Sequence, residues 1–182
     1  MIRYICLLRG INISGKNKIS MTELKKEFEL LNYSNVITYI NSGNIIFSSD
    51  TDDKNVIINA IEKMIISKFQ LNIPVFIMTV SELNDLLTHV PKWWGTNNKN
   101  IYDNVIFIIS PYTCNEICDE IGSPKEEYEK IEKYKNVIFW SYDLANYRKT
   151  NWWSKTASVG VNTKITIRTA NTVRKLLELA NK

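Results

Sequence analysis

The chain has 182 residues, of which 45% are apolar and 23% charged, and its formal net charge is +4. A chain of this length buries roughly 70% of its unfolded surface, so it builds one domain or two small ones without a metal or disulfide staple. Three cysteines without framework spacing, Cys6, Cys114 and Cys118, argue against a secreted disulfide scaffold, and no apolar run reaches the ~20 residues that span a bilayer. Arg3 and Arg9 interrupt the one short apolar stretch at the start, so no signal peptide is read and the cytoplasm is the expected location. The mild positive charge permits an acidic partner without requiring one.

Residues 2–9 form a compact apolar run closed by Gly10, the pattern of a buried strand. A polar loop follows to Lys18. Ser20-Met21-Thr22-Glu23 has capping-box spacing, and Met21, Leu24, Phe28 and Leu31 then recur at helical intervals. Residues 36–40 and 44–48 are β-rich, and Asn41-Ser42-Gly43-Asn44 between them predicts a hairpin, because Gly and Asn tolerate positive φ. Asp52 and Asp53 suit a helix N-terminus, and Ile57, Ile61, Met64, Ile65 and Phe69 supply that helix with an apolar stripe. Residues 73–78 complete a strand-helix-strand-strand-helix-strand series.

Thr79-Val80-Ser81-Glu82 repeats the capping-box pattern ahead of Leu83, Leu86, Leu87 and Val90, and Pro91 ends that helix. A loop with Trp93 and Trp94 runs to Asn100. The series then recurs. Residues 104–109 read as a strand, and Cys114, Ile117, Cys118 and Ile121 share one helix face. Residues 126–134 read as a strand because Tyr134-Lys135-Asn136-Val137 resembles a hairpin and the first half supplies the match. Residues 137–142 are a strand, 152–159 a helix and 164–168 a last strand, and a final helix carries Val173, Leu176, Leu177 and Ala180 on one side.

The expected fold is α+β: two tandem ferredoxin-like βαββαβ repeats with a connecting helix and a C-terminal helix. The expected division is 1–79 for the first repeat, 80–100 for the connecting helix and tryptophan loop, and 101–182 for the second repeat with its terminal helix.

Three constellations bear on chemistry. Gly10 to Lys16 has the G-x-x-x-x-G-K spacing of a phosphate-binding loop, but Asn17 stands where a magnesium-holding Ser or Thr belongs, and the helix opens only near Ser20. A looser anion site from Arg9, Gly15, Lys16 and Lys18 is the better reading, against a plain exposed glycine turn. Asn41-Ser42-Gly43-Asn44 offers amides and a hydroxyl to a polar ligand, although a hairpin needs the same residues to turn. Lys92-Trp93-Trp94 and Arg148-Lys149-Thr150-Asn151-Trp152-Trp153-Ser154-Lys155 mix aromatics with cations, which suits base stacking on single-stranded nucleic acid or the sealing of an interface. The sole histidine, His89, has no partner motif, and the cysteines complete no zinc set. No metal and no cofactor is expected.

Leu7-Leu8-Arg9-Gly10-Ile11-Asn12-Ile13-Ser14-Gly15-Lys16-Asn17 and Thr38-Tyr39-Ile40-Asn41-Ser42-Gly43-Asn44 resemble the bacterial family called domain of unknown function 1697. Thr166-Ile167-Arg168 with Thr172-Val173-Arg174-Lys175-Leu176 is similar to that family's closing motif, except that Thr169-Ala170 replaces its usual Asn-Trp after the arginine. The resemblance spans nearly the whole chain. It implies a duplicated ferredoxin-like fold in a bacterial cytoplasmic protein and lends no reaction. Its signature residues are polar: Arg9, Asn12, Lys16, Asn17, Ser42, Asn44 and Arg168. In a ferredoxin-like half the end of the first strand and the start of the third share one sheet edge, which brings Arg9 toward Asn44. The expected ligand-binding set is therefore Arg9, Asn12, Lys16, Asn17, Lys18, Ser42, Asn44 and Arg168. Its partner is a small anionic ligand or nucleic acid. A nucleic-acid binder using the sheet or tryptophan loops, an enzyme without a known motif and a protein-interaction module are the alternatives.

Overall fold

The structure, a computed structural model, describes residues Met1–Lys182. It contains two units, Met1–Asn84 with Leu176–Lys182, and Asp85–Lys175. Each unit carries a four-stranded antiparallel sheet with helices between its strands, consistent with two tandem ferredoxin-like repeats.

In the first unit β1 (Ile2–Leu8), α1 (Met21–Leu30), β2 (Ser34–Tyr39), β3 (Asn44–Ser49), α2 (Lys54–Phe69) and β4 (Val75–Thr79) succeed one another, and the sheet order is β2-β3-β1-β4. The helices start where the sequence places caps. Ser20 Oγ accepts the Glu23 amide at 3.3 Å, and Asp53 Oδ1 accepts those of Asn55 and Val56 at 2.8 and 3.3 Å. Leu24 and Phe28 of α1 and Ile57, Ile61, Met64 and Ile65 of α2 pack on Tyr4, Cys6, Leu8, Ile45, Phe47, Val75 and Ile77, so both helices cover one face of the sheet. Phe47 centres this core, with Tyr33 at 4.5 Å and Phe28 edge-on at 5.4 Å. Ile5, Leu7, Ile46 and Met78, of opposite parity, are buried as well. That explains why these strands read as continuous apolar runs rather than alternating ones.

At the start of α3 (Val80–Thr88) the expected capping box forms in full. Glu82 accepts the Thr79 amide at 2.7 Å, while Thr79 Oγ1 accepts the Glu82 amide at 3.1 Å. Lys54 Nζ adds an ion pair to Glu82 at 2.5 Å.

The second unit repeats the order with β5 (Ile101–Ile108), α4 (Cys114–Ile121), β6 (Glu129–Tyr134), β7 (Val137–Asp143) and β8 (Ile165–Thr169) in a β6-β7-β5-β8 sheet; α7 (Ala170–Ala180) follows β8, with its first residues in this unit and Leu176 onward in the first. In place of a second long helix stand a 3-10 turn (Leu144–Lys149), α5 (Trp152–Thr156) and α6 (Val159–Asn162). The single helix expected over 152–159 is interrupted because Ser158 closes on the Lys155 carbonyl with both its amide (3.0 Å) and its hydroxyl (2.6 Å). The strand expected over 126–134 begins at Glu129, since the amides of Tyr128 and Glu129 turn back onto the Lys125 carbonyl at 2.8 and 3.0 Å.

Glu129 organises these short pieces. It is 2% exposed, and every donor to its carboxylate is a backbone or indole N–H. Lys125 and Asn151 donate to Oε1 at 3.0 and 2.6 Å, Trp140 Nε1 donates to Oε2 at 3.1 Å, and the Trp152 amide lies 3.2–3.3 Å from both oxygens. The buried Trp152 indole donates to the Gly122 carbonyl at 3.0 Å, which ties α5 to the end of α4.

Two outcomes follow from these anchors. Glu129→Ala strands several buried N–H groups at once and should cost about 3 kcal/mol or more in urea unfolding, whereas a surface Glu→Ala costs little. Burial pushes the Glu82 pKa up, but Lys54 and the Thr79 amide outweigh it and hold the carboxyl below the usual carboxylate range. A depressed folded-state pKa gives stability that is present above the unfolded value and is lost as pH falls through the folded one. Glu82→Gln should therefore lower Tm at pH 7, on the scale of ~1 kcal/mol for a helix cap. The gap to the parent should close as the pH drops below the ordinary carboxylate range.

Candidate functional site

The register of the first sheet brings the two signature loops together. Leu7 pairs with Asn44, and one residue further the Leu8 amide donates to the Gly43 carbonyl at 2.8 Å. Gly43 has φ +76°, and a Cβ there would lie 2.7 Å from Leu8 Cβ, so the turn closes against β1 only with glycine. The second left-handed residue of this turn is Ile40, at φ 48°, where the sequence pointed to Asn. A β-branched side chain in that region is strained.

The loop after β1 is a run of left-handed residues: Gly10, Asn12, Ser14, Gly15 and Asn17 all have positive φ. It folds back as a small turn, with the Lys16 amide on the Ile13 carbonyl at 2.9 Å and the Asn12 amide on the Asn17 carbonyl at 3.1 Å. Because α1 opens five residues after Lys16, this lysine does not stand at a helix start as a P-loop lysine does.

Asn12 fixes the loop. Its Nδ2 donates to the carbonyls of Ile19 and Asn41, both at 2.9 Å, and its Oδ1 accepts the Ile19 amide at 2.9 Å. Asn17 Nδ2 donates to the Gly10 carbonyl at 3.0 Å. Asn44 is fully buried and donates to the Tyr39 carbonyl and to Ser42 Oγ at 3.1 and 2.9 Å. These four polar residues thus shape the two loops.

The cations are placed differently. Lys16 and Lys18 are exposed, and Arg9, at the base of the loop, is half-buried, which lowers its guanidinium pKa. From Met1 to Thr22 the chain carries Arg3, Arg9, Lys16 and Lys18, and its first acidic residue is Glu23. A hollow of about 520 Å³ lies between this loop and the start of α1, lined among others by Asn12, Gly15, Lys18, Thr22 and Asn41. Arg168 belongs to the second unit, where it is 7% exposed and donates to Thr166 Oγ1 at 2.8 Å and to the Ile167 carbonyl at 2.9 Å.

Each tryptophan pair is split. Trp94 and Trp152 are buried, while Trp153 is 41% exposed and meets Tyr147 at 4.6 Å. Arg148 lies 5.5 Å over the Tyr147 ring. His89 Nδ1 lies 2.8 Å from the Asp85 carbonyl oxygen, and its ring stacks on Tyr134 at 4.7 Å. Burial pushes the Cys114 thiol up to about 11 and raises that of Cys118, so neither is an activated nucleophile. No group of three His, Cys, Asp or Glu side chains is placed to hold a metal ion, and no helix is long and apolar enough to cross a membrane.

A search of curated proteins finds no match for the chain. Among solved structures, the conserved bacterial protein SP0830 from Streptococcus pneumoniae is similar along the whole length. It shows 28% identity and a TM-score of 0.86, with 98% of each chain covered. Residues 1–139 match the family described as protein of unknown function (DUF1697), and the chain belongs to that family.

Proposed function

We propose that the first unit binds an anionic ligand, a nucleotide, a phosphate or a nucleic-acid backbone, at the loop that follows β1. The observation that carries this reading is the locked basic loop: Lys16 and Lys18, with Arg9 at its base, stand on a backbone held to the β2–β3 turn by Asn12, in a stretch without an acidic side chain. Cations in a stretch of chain without an acidic side chain raise the local positive potential, and a ligand that supplies negative charge relieves it.

Within this set Arg9, Lys16 and Lys18 supply charge. Asn12, Asn17, Ser42 and Asn44 hold the loop and turn in shape through those bonds. Arg168, buried in the second unit, stays outside the proposed contact set. A bacterial cytoplasmic setting fits the likeness to a bacterial protein.

Thermal shift against inorganic phosphate, ATP and a short oligonucleotide tests the reading, because a ligand that prefers the native state raises Tm. A charged hydrogen bond is worth ~1.5–3 kcal/mol, so Lys18→Ala and Arg9→Ala should each weaken the ligand that binds at least tenfold and leave the unliganded Tm nearly unchanged. Unaltered affinity in both folded variants would contradict it.

A further inference from the structure

In the second unit the short pieces between β7 and β8 divide their aromatic side chains between core and solvent. Trp152 enters the core, whereas Trp153 beside it is 41% exposed. The Trp153 ring meets that of Tyr147 at 4.6 Å with an interplanar angle of 67°. An edge-on contact of this kind covers at most one of the two faces of an indole.

Tyr147 is supported in turn. It packs on the core cluster that contains Trp140, Tyr142 and Trp152, and Tyr142 meets Tyr102 at 5.4 Å. Tyr102 and Tyr142 are register partners on β5 and β7, so both side chains leave the sheet on one face. That is the face on which Cys114, Ile117 and Ile121 of α4 pack. Tyr102 is 41% exposed. A connected set of rings on that side therefore reaches solvent at two places, Trp153 and Tyr102.

Cations lie in the same segment. Arg148 Nε donates to the Tyr147 hydroxyl at 2.9 Å, which uses one of the five guanidinium N–H donors. Lys149 Nζ lies 5.2 Å over the Tyr128 ring. Both cationic side chains are exposed, and the chain has no acidic residue from Leu144 to Leu177. The Asp143 carboxylate just before this stretch accepts the Ala145 amide at 2.8 Å and Asn146 Nδ2 at 2.9 Å. Glu127 engages the Tyr128 hydroxyl, so acidic charge borders the ring that holds Lys149, and that ring is left out of the stack proposed below.

The combination selects among partners. A site for a simple anion needs the cations and has no use for open rings. The core of a protein interface is depleted in lysine and other charged residues, unlike this segment. An unpaired base presents a face to an aromatic ring and a phosphate to the cation next to it. Bases within a duplex are stacked on one another and have no face to offer.

We infer that this face of the second unit binds single-stranded nucleic acid, with a base stacked on Trp153, the adjoining phosphate on Arg148, and Tyr102 as a second platform along the strand. The inference does not rest on the loop proposed for the first unit.

Fluorescence anisotropy of labelled oligo(dT) and oligo(U) with the full chain tests it. At least one strand should bind at low salt, and the ratio of the two affinities separates DNA from RNA. An abasic strand of the same length should bind at least fivefold more weakly. Trp153→Ala should weaken binding at least fivefold, while Trp153→Phe, which keeps an aromatic face, should stay within about twofold of the parent. Arg148→Gln, at an exposed position, should leave Tm unchanged and flatten the slope of log affinity against log salt by about 0.7, the loss of one phosphate contact to a single strand. The inference is overturned if neither strand binds at low salt, as a protein partner would require, or if the abasic strand binds as well as oligo(dT). It is equally overturned if Arg148→Gln and the Trp153 variants all bind as the parent does.

Discussion

One asparagine side chain sets the geometry on which the first unit's surface depends. Asn12 bonds three backbone groups, the carbonyl and amide of Ile19 and the carbonyl of Asn41, and so joins the loop after β1 to the turn before β3. Ordering a backbone residue costs roughly 1–2 kcal/mol, and an average internal hydrogen bond returns only about 0.5–1.5. A loop with five left-handed residues and two lysines at its tip would not hold one shape on propensity alone. The Asn12 amide supplies three bonds at one point, and Gly43, pressed against Leu8 and Ile11, supplies the close approach that brings Asn41 within reach. The basic side chains ride on that frame, and their charge is directed because the backbone beneath them is held.

The two units solve the same topology with different materials. The first covers its sheet with two full helices, each beginning at a side-chain cap, and its core centres on Phe47. The second has one such helix, α4, and fills the rest with pieces of six residues or fewer between β7 and β8. Helices that short leave most of their amides without internal partners. Glu129 answers this from a neighbouring strand, by accepting the amides that open α5. The same unit uses Trp94 to seat Arg174. Paired tryptophans in this chain therefore divide their work, with Trp94 and Trp152 serving as internal supports and Trp93 and Trp153 lying nearer solvent.

Much of this was legible in the residues. Ser20, Asp53 and Thr79 announced helix starts, the apolar stripes announced the buried helix faces, and Asn41 to Asn44 announced the turn. Ferredoxin-like strand order then placed the ends of β1 and β3 together, as the pairing of Leu7 with Asn44 shows. What escaped was set by tertiary contact. Nothing local marks Glu129 as different from the charged residues around it in β6, because its donors lie at Lys125, Trp140, Asn151 and Trp152. The break at Ser158 was hidden because a serine inside an apolar-periodic segment reads equally well as helix. The seat of Arg174 joins it to the Gly95 carbonyl across a separation of 79 positions, which no spacing rule links.

The most direct test of the clasp needs no substitution. Hydrogen exchange at neutral pH reports which amides are closed in solution. If Asn12 locks the loop, the Ile19 amide, which it accepts at 2.9 Å, and the Leu8 amide, bonded to Gly43 at 2.8 Å, should both exchange far more slowly than an unstructured chain. Exchange of Ile19 at the rate of an open peptide, with Leu8 still protected, would show a loop that moves freely beside a stable sheet and would contradict the account.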